Sequence, residues 1–328
     1  MKTIKSLAAA ALFSTALATT AFAQDQVNLT WQMWGSDEAD IAAWQHLADM
    51  VTEQHPDIKV TLQTAPWNDY WTKLPVLAAS GQLGDIVAMQ SLRMPNFYSI
   101  LEPLNERVKA DNFDIDAFDS SIIGGMSVGD EVYGLPYDVG PWMIFYNKDM
   151  FAAAGVAEPE AGWTFDEFVE TAKALTKDGN YGAGVTPQNY SLIATAGNIG
   201  MYIDGPWAMI NKIDNVDFKI GLAPLPRGEG DLAAATAGSG FGISTTSQHK
   251  DAAWQAIQVL TGPEALDYLA SQGRALPART AQQATWFDVA AKDVAGAREA
   301  LEYSLRDHRQ FQCRGEPVQP VFPTGLCR

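Results

Sequence analysis

Asp138 and Trp142 lie four residues apart in the stretch Tyr133 to Phe151, where Gly134, Pro136, Gly140 and Pro141 punctuate two short apolar runs. Gly and Pro at that density let an extended chain leave one packed unit, bend and enter a second. A carboxylate and an aromatic ring inside such a bend suit capture of a polar, ring-shaped solute. The carboxylate accepts from hydroxyls, and the indole covers an apolar ring face. Further candidates stand earlier in the chain. Val27, Leu29, Trp31 and Met33 share one face of an alternating segment, so Trp34 falls on the other parity at its carboxyl end. Open α/β sheets bind ligands there, although Trp34 could equally pack beneath a neighbouring helix. Gln90 and Ser91 follow a continuous apolar run, Ile86 to Met89, in the equivalent loop, with short polar side chains able to bond to hydroxyls. Trp67, Tyr70 and Trp71 cannot all face one core, so at least one is expected on the surface or on a cleft wall.

Covalent and acid–base chemistry find little support. The carboxylate pairs Asp37/Glu38, Asp130/Glu131 and Asp166/Glu167 could be tested against the paired acids of glycoside hydrolysis, but helix starts and turns explain them more simply. Ser239 sits in Ala237-Gly238-Ser239-Gly240, which lacks the first glycine of a nucleophile elbow and precedes a strand rather than a helix. Gly238, Gly240 and Gly242 form a weak phosphate signal and suit close approach of backbone to a ligand or a neighbouring strand. His46, His55, His249 and His308 show no metal-ligand spacing. No cofactor or metal is expected.

The elements that must position these residues alternate in type. Val27 to Met33 and Ile58 to Leu62 alternate as strands around a helix whose stripe is Ile41, Trp44, Ala48 and Val51. Trp67 to Ala79 reads as a second helix ahead of the strand Ile86 to Met89, giving β-α-β-α-β, an open α/β unit. After the bend, Thr164 and Glu167 form a capping box for a helix with the stripe Phe165, Phe168, Val169, Ala172 and Leu175, ended by turn chemistry at Asp178-Gly179-Asn180. Strands are expected at Ile199 to Ile203, Lys219 to Ala223 and Gly240 to Ser244, with a short helix opened by Gly205-Pro206. Helices follow at Lys250 to Leu260, from Pro263, and over Ala284 to Leu305. From Arg306 to Arg328 neither period persists, and an irregular tail is expected.

Lys2 and Lys5 precede an apolar run, Leu7 to Ala18, and Ala21-Phe22-Ala23 has the pattern of a signal peptidase site. The run is shorter than the ~20 residues of a spanning helix, so residues 1–23 are expected to be a signal peptide, with the mature chain beginning at Gln24 in the periplasm. Lys+Arg 22 against Asp+Glu 39 gives a net charge of −17, a surface that repels nucleic acid and anionic lipid. Hydrophobic residues at 47% can build real cores. Cys313 and Cys327 both lie in the last sixteen residues, which excludes a disulfide scaffold for the main body.

Several motifs in fixed order carry a family resemblance. They are Tyr133-Gly-Leu-Pro-Tyr137 with Phe145-Tyr-Asn-Lys-Asp149, Gly162-Trp-Thr-Phe-Asp-Glu-Phe168, and Met201-Tyr-Ile-Asp-Gly-Pro-Trp207. Leu222-Ala-Pro-Leu-Pro226 then leads to Gly238-Ser-Gly-Phe-Gly242 and Gly273-Arg-Ala-Leu-Pro-Ala-Arg279. The chain thereby resembles the carbohydrate-binding extracellular solute-binding proteins of ABC importers, which include maltose-binding protein. The resemblance implies a periplasmic-binding-protein-like Venus flytrap with two discontinuous α/β lobes. Residues 24–139 and about 236–278 would form the first lobe, and 140–235 with about 279–305 the second. It implies no reaction, a monomer, and a membrane permease as partner. Trp207 looks like the aromatic of the Gly-Pro-Trp turn that stacks on a sugar, or else a core tryptophan at a helix start. Tyr190 looks like a second-lobe aromatic. The loops at Trp34, Ser36 and Asp37 and at Gln90, Ser91 and Arg93 resemble those that bond to hydroxyls. Trp67, Gly240 and Arg274 complete the candidate set. One departure stands out, because family members usually carry several dozen more residues between the Tyr181 to Ala194 segment and the Met201 strand. The second lobe is therefore expected to be shortened, with part of its core exposed. The alternatives are a secreted carbohydrate-active lyase or hydrolase, and a binder of a charged solute such as a glycerol phosphate ester or a polyamine.

Overall fold

The computed structural model describes residues 26–313 apart from 36, 185–196, 210–215, 229–235, 293 and 295, with backbone alone over 306–313. The expected signal peptide lies outside the described residues. Strand β1 (Val27–Trp34), helix α1 (Glu38–Gln54), β2 (Ile58–Ala65), α2 (Trp67–Ala79) and β3 (Ile86–Gln90) realise the β-α-β-α-β pattern. β1 pairs in parallel with both β2 and β3. The short helices α3 (Met94–Phe97), α4 (Asn105–Ala110) and α5 (Ser120–Gly125) and the hairpin β4 (Ser127–Val128) and β5 (Glu131–Val132) follow. β6 (Leu135–Pro136) then joins the first sheet.

β7 (Gly140–Pro141) and β8 (Met143–Asn147) lead into the second lobe, with α6 (Lys148–Ala154), α7 (Phe165–Leu175), β9 (Tyr181–Gly184), β10 (Ile199–Asp204) and β11 (Ile220–Pro224). The chain returns through β12 (Thr236–Ala237) to β13 (Ser239–Ile243) in the first sheet. It continues as α8 (Lys250–Leu260), α9 (Pro263–Ser271), α10 (Gln283–Ala290) and α11 (Ala297–Cys313). The first sheet has the order β2-β1-β3-β13-β6 and the second β11-β8-β10-β9. The protein is thus a two-lobed α/β flytrap whose sheets are each assembled from distant parts of the chain.

The first core is aromatic. Trp31 of β1 meets Trp44 of α1 and Phe241 of β13 edge-on at 6.0 and 5.1 Å, and Tyr137 stacks on Phe241 at 5.1 Å. Such pairs contribute about 0.5–1.5 kcal/mol each beyond their area burial. Trp44, Ala48 and Val51 face this core as their spacing predicts, but Ile41 is exposed. Asp40 takes the inward position of that first turn, where it pairs with Arg274.

The capping box at Thr164 and Glu167 is formed as expected. Phe168 and Leu175 are buried, whereas Phe165 is 54% exposed and stacks on Phe168 from the solvent side. Tyr181 of the edge strand β9 is 61% exposed, and Phe168, Val169, Ala172 and Ala183 line an open apolar groove beside it. β9 and β10 are parallel, and the connection between them is residues 185–198. A parallel crossover takes a dozen or more residues, so this one is near the minimum.

The carboxyl-terminal region departs from expectation in three ways. The helical stretch breaks between Ala290 and Ala297, where Gly296 has φ 78°. α10 packs on α9 beside the first lobe, and α11 is the helix that covers β11 of the second. α11 also runs to Cys313, past the expected end at Leu305. Its inward positions Ala297, Ala300, Leu301, Ser304 and Leu305 are buried at helical spacing. The polar turns beyond them carry no apolar stripe from which a helix could be read.

Thr164→Ala should lower stability by about 1 kcal/mol through loss of the cap. Thermal melts of the two proteins check this, with Thr164→Ser remaining close to the parent.

Candidate functional site

Strand direction brings the candidates together. The carboxyl ends of β1, β2 and β3 share one edge of the first sheet, because the three are parallel. The antiparallel partner β13 pairs Ser239 with Gln90 and Gly240 with Pro136, so the chain leaves and re-enters this lobe along the same edge. In the second sheet, Asp204 and Pro224 both lie opposite Met143. Trp207, three residues beyond Asp204, therefore also falls at the side where the lobes join. The result is a cleft bordered by strand ends on both walls, where ligands of open α/β sheets bind.

On the first wall, Trp34 is buried among Trp67, Tyr70 and Trp71, with ring centroids 5.0, 5.3 and 5.6 Å away. Tyr70 is locked inward by donating its hydroxyl to the Ala88 carbonyl at 2.7 Å. Trp67 is 39% exposed, the one ring of the three helical aromatics left accessible. The Arg93 guanidinium lies 4.5 Å from the Trp71 ring centre and 5.7 Å from that of Trp67. Trp34 thus supports the wall from beneath, and Trp71, which sequence reasoning did not offer as a site residue, seats Arg93. Their i, i+3, i+4 spacing on α2 was the available signal. Ser91 is buried; its Oγ accepts from the Gly238 N–H at 3.2 Å and its own N–H donates to the Gly238 carbonyl at 2.8 Å, so it laces the two strands together. Gln90 is half-buried at the end of β3. Asp37 caps α1 by accepting from the Asp40 N–H at 2.9 Å. Ser36 lies outside the described residues.

The hinge is laced by hydrogen bonds. Asp138 is buried, and its carboxylate accepts from the Ser239 N–H, joining the outgoing and returning chains. Tyr137 donates its N–H to the Ser239 carbonyl at 2.8 Å, Val139 to that of Leu276 at 3.0 Å, and Ala278 donates to the Tyr137 carbonyl at 3.0 Å. Burial pushes the Asp138 pKa up to about 7, against the pull of the Ser239 bonds and of Arg274. Arg274 is itself committed to Asp40 and lies 5.3 Å from the Trp44 ring centre. The motif placed Arg274 among ligand residues; the structure gives it a buried ion pair at the edge of the aromatic core. Gly240 carries no functional side chain, and an added Cβ would meet the Leu135 carbonyl, so its role is close strand approach.

Trp142 and Trp207 meet edge-on across the junction, with ring centroids 5.3 Å apart, and both are half-buried. Gly140 makes room for this pair. A Cβ there would lie 2.8 Å from Cζ3 of the Trp207 indole, closer than Cβ atoms approach such neighbours. Tyr190 lies outside the described residues. Among the described residues no group of His, Cys, Asp and Glu could hold a metal ion, and no helix is long and apolar enough to cross a membrane. The arrangement is suited to reversible binding by stacking and hydrogen bonding.

A clamshell of two α/β lobes with strand ends facing the gap defines the class of solute receptors. The family model of bacterial extracellular solute-binding proteins matches residues 35–267, and the chain belongs to that family. Among similar proteins, a lactose-binding protein of Rhizobium radiobacter is 26% identical over 253 residues, which is 73% of this chain and 58% of the relative. An arabinooligosaccharide-binding protein of Halalkalibacterium halodurans is 30% identical over 131 residues, 38% of this chain and 28% of the relative. The chain therefore spans less than two thirds of the length of these relatives. Among solved structures, an ABC substrate-binding protein of Listeria monocytogenes in complex with cycloalternan superposes with a TM-score of 0.76 at 21% identity, covering 86% of this chain and 87% of the other.

Two outcomes follow from the hinge. Asp138 is protonated in the folded state and ionised in the unfolded state between about pH 4 and about pH 7. The folded state then holds the extra proton, so stability falls as pH rises through that window, by up to about 1.4 kcal/mol per pH unit, and levels off above it. Chemical denaturation across that range should show this slope in the parent and not in Asp138→Asn. Gly140→Ala should displace the Trp207 indole, and near-ultraviolet circular dichroism should register the lost ring pairing while far-ultraviolet signal persists.

Proposed function

We propose that this protein is the carbohydrate-capturing subunit of an ABC importer. It binds a sugar, oligosaccharide or sugar alcohol between its lobes and delivers it to a membrane permease. On this reading residues 1–23 direct export, the mature chain from Gln24 acts as a periplasmic monomer, and no reaction occurs. The observation that carries the proposal is the aromatic geometry at the strand ends: Trp142 and Trp207 paired at the junction, and the exposed Trp67 on the first wall. Indole faces cover the apolar side of a pyranose, while Gln90, Arg93 and backbone groups serve its hydroxyls. Each net hydrogen bond contributes about 0.5–1.5 kcal/mol, and a micromolar dissociation constant needs only about −8 kcal/mol in total. The sugar-binding names of the relatives support the same reading.

Closure follows because the solute touches both walls only when the lobes approach; periplasmic binding proteins are a standing example of such hinge closure. A permease then distinguishes the closed form from the open one.

Titrating intrinsic tryptophan fluorescence with a panel of mono- and oligosaccharides and polyols should give saturable changes with at least one member. Saturating ligand, at about 100 times its dissociation constant, should also stabilise the fold by ~2.7 kcal/mol in thermal melts. Trp207→Ala should weaken that ligand about tenfold or more, the loss expected for a stacked aromatic. A cooperatively folded protein silent to the whole panel would remove the carbohydrate reading.

A further inference from the structure

Arg93 differs from every other described arginine. Arg107 pairs with Glu102 and Asp251, Arg274 with Asp40, and Arg298 with Asp288. Arg227 donates to the Tyr303 hydroxyl and Arg279 to the Thr261 carbonyl. Arg93 alone has no oxygen partner among the described residues, in a chain that carries a net charge of −17. It is nevertheless held in place. Its guanidinium packs against the rings of Trp71 and Trp67 at 4.5 and 5.7 Å, an arrangement that fixes a cation without satisfying its N–H groups. Partial desolvation there lowers the Arg93 pKa, yet a guanidinium stays charged throughout the accessible pH range.

The indoles offer ring faces and no oxygen acceptor, so the N–H donors along the planar edge of the guanidinium remain unsatisfied among the described residues. That edge matches a carboxylate, which accepts two parallel N–H bonds, better than any single hydroxyl. The exposed Trp67 beside it offers a ring face for the sugar that bears the carboxylate. Resting on the carbohydrate reading above and deepening it, we propose that Arg93 selects acidic saccharides, with a uronate carboxylate seated on its edge and the pyranose against Trp67.

The test measures the full chain by isothermal titration against uronic-acid mono-, di- and trisaccharides, each paired with its carboxyl-reduced neutral counterpart. For the cognate pair the acidic member should bind about tenfold more tightly at low ionic strength, the gap between a charge-assisted and a neutral hydrogen bond. The ratio should shrink as salt is raised. In Arg93→Gln the ratio should fall to about one, and in Arg93→Lys it should be intermediate, because the charge survives without the fork. The salt dependence in the parent protein needs no variant, so the test stands even if substitution disturbs the Trp71 stack. Acidic and neutral members binding alike, or a preference that survives in Arg93→Gln, overturns the acidic assignment and leaves the carbohydrate reading intact. Folded protein that binds no member of any pair overturns the acidic assignment, and silence to the wider panel of neutral sugars and polyols as well overturns the carbohydrate reading.

Discussion

The carboxylate of Asp138 accepting the Ser239 N–H is the contact on which the two-lobed arrangement turns. It joins the segment that leaves the first lobe to the segment that returns. Around it, Tyr137 bonds to Ser239 and Val139 to Leu276, so residues 137–139 are held on both sides. Three passages of the chain are thereby locked at one edge of the first sheet. Burial raises the cost of ionising Asp138, and the Ser239 bonds and the nearby Arg274 offset part of it. An apolar group in its place would cost less desolvation; what the carboxylate adds is the fixed contact with Ser239.

This lacing separates groups committed to structure from those that the proposed function assigns to a solute. Arg274 and Asp40 satisfy each other at the rim of the aromatic core, and Ser91 is absorbed by Gly238. Gln90, Arg93, Trp67 and the Trp142–Trp207 pair remain at the strand ends. The first group positions the second. Ser91 holds the start of the loop that carries Arg93, and Tyr70, through its bond to Ala88, sets the orientation of the helix that presents Trp67 and Trp71.

Local signals carried much of this into the sequence. The stripe of α1, the capping box at Thr164 and Pro263 at a helix start are short-range features, and the structure has these elements where the residues place them. Long-range pairing was less visible. Nothing near Arg274 in the chain names Asp40 as its partner, so the motif alone made it a ligand candidate. Ile41 fits the stripe of α1, but a buried ion pair one residue earlier displaced it. The end of α11 was hidden for the opposite reason: beyond Leu305 the sequence carries no apolar stripe, and helical turns of that composition resemble irregular chain in any reading based on periodicity. Family motifs supplied Trp207, whereas its need for a bare Gly140 appears only once the two crossings are placed side by side.

The same lacing limits where the proposed closure can bend. Residues 137–139 are bonded on both flanks and must move with the first lobe. β8 is bonded to both β10 and β11 and must move with the second. Between them lie Gly140, Pro141 and Trp142, paired with the returning chain through the short β7–β12 ladder. Pro141 restricts its own φ, which leaves Gly140 the freer residue of this crossing. Trp142 sits at that pivot and touches Trp207 on the second wall. A solute that presses on this pair acts next to the axis of rotation. Its contacts can then bias the lobe angle directly, with no relay through either core.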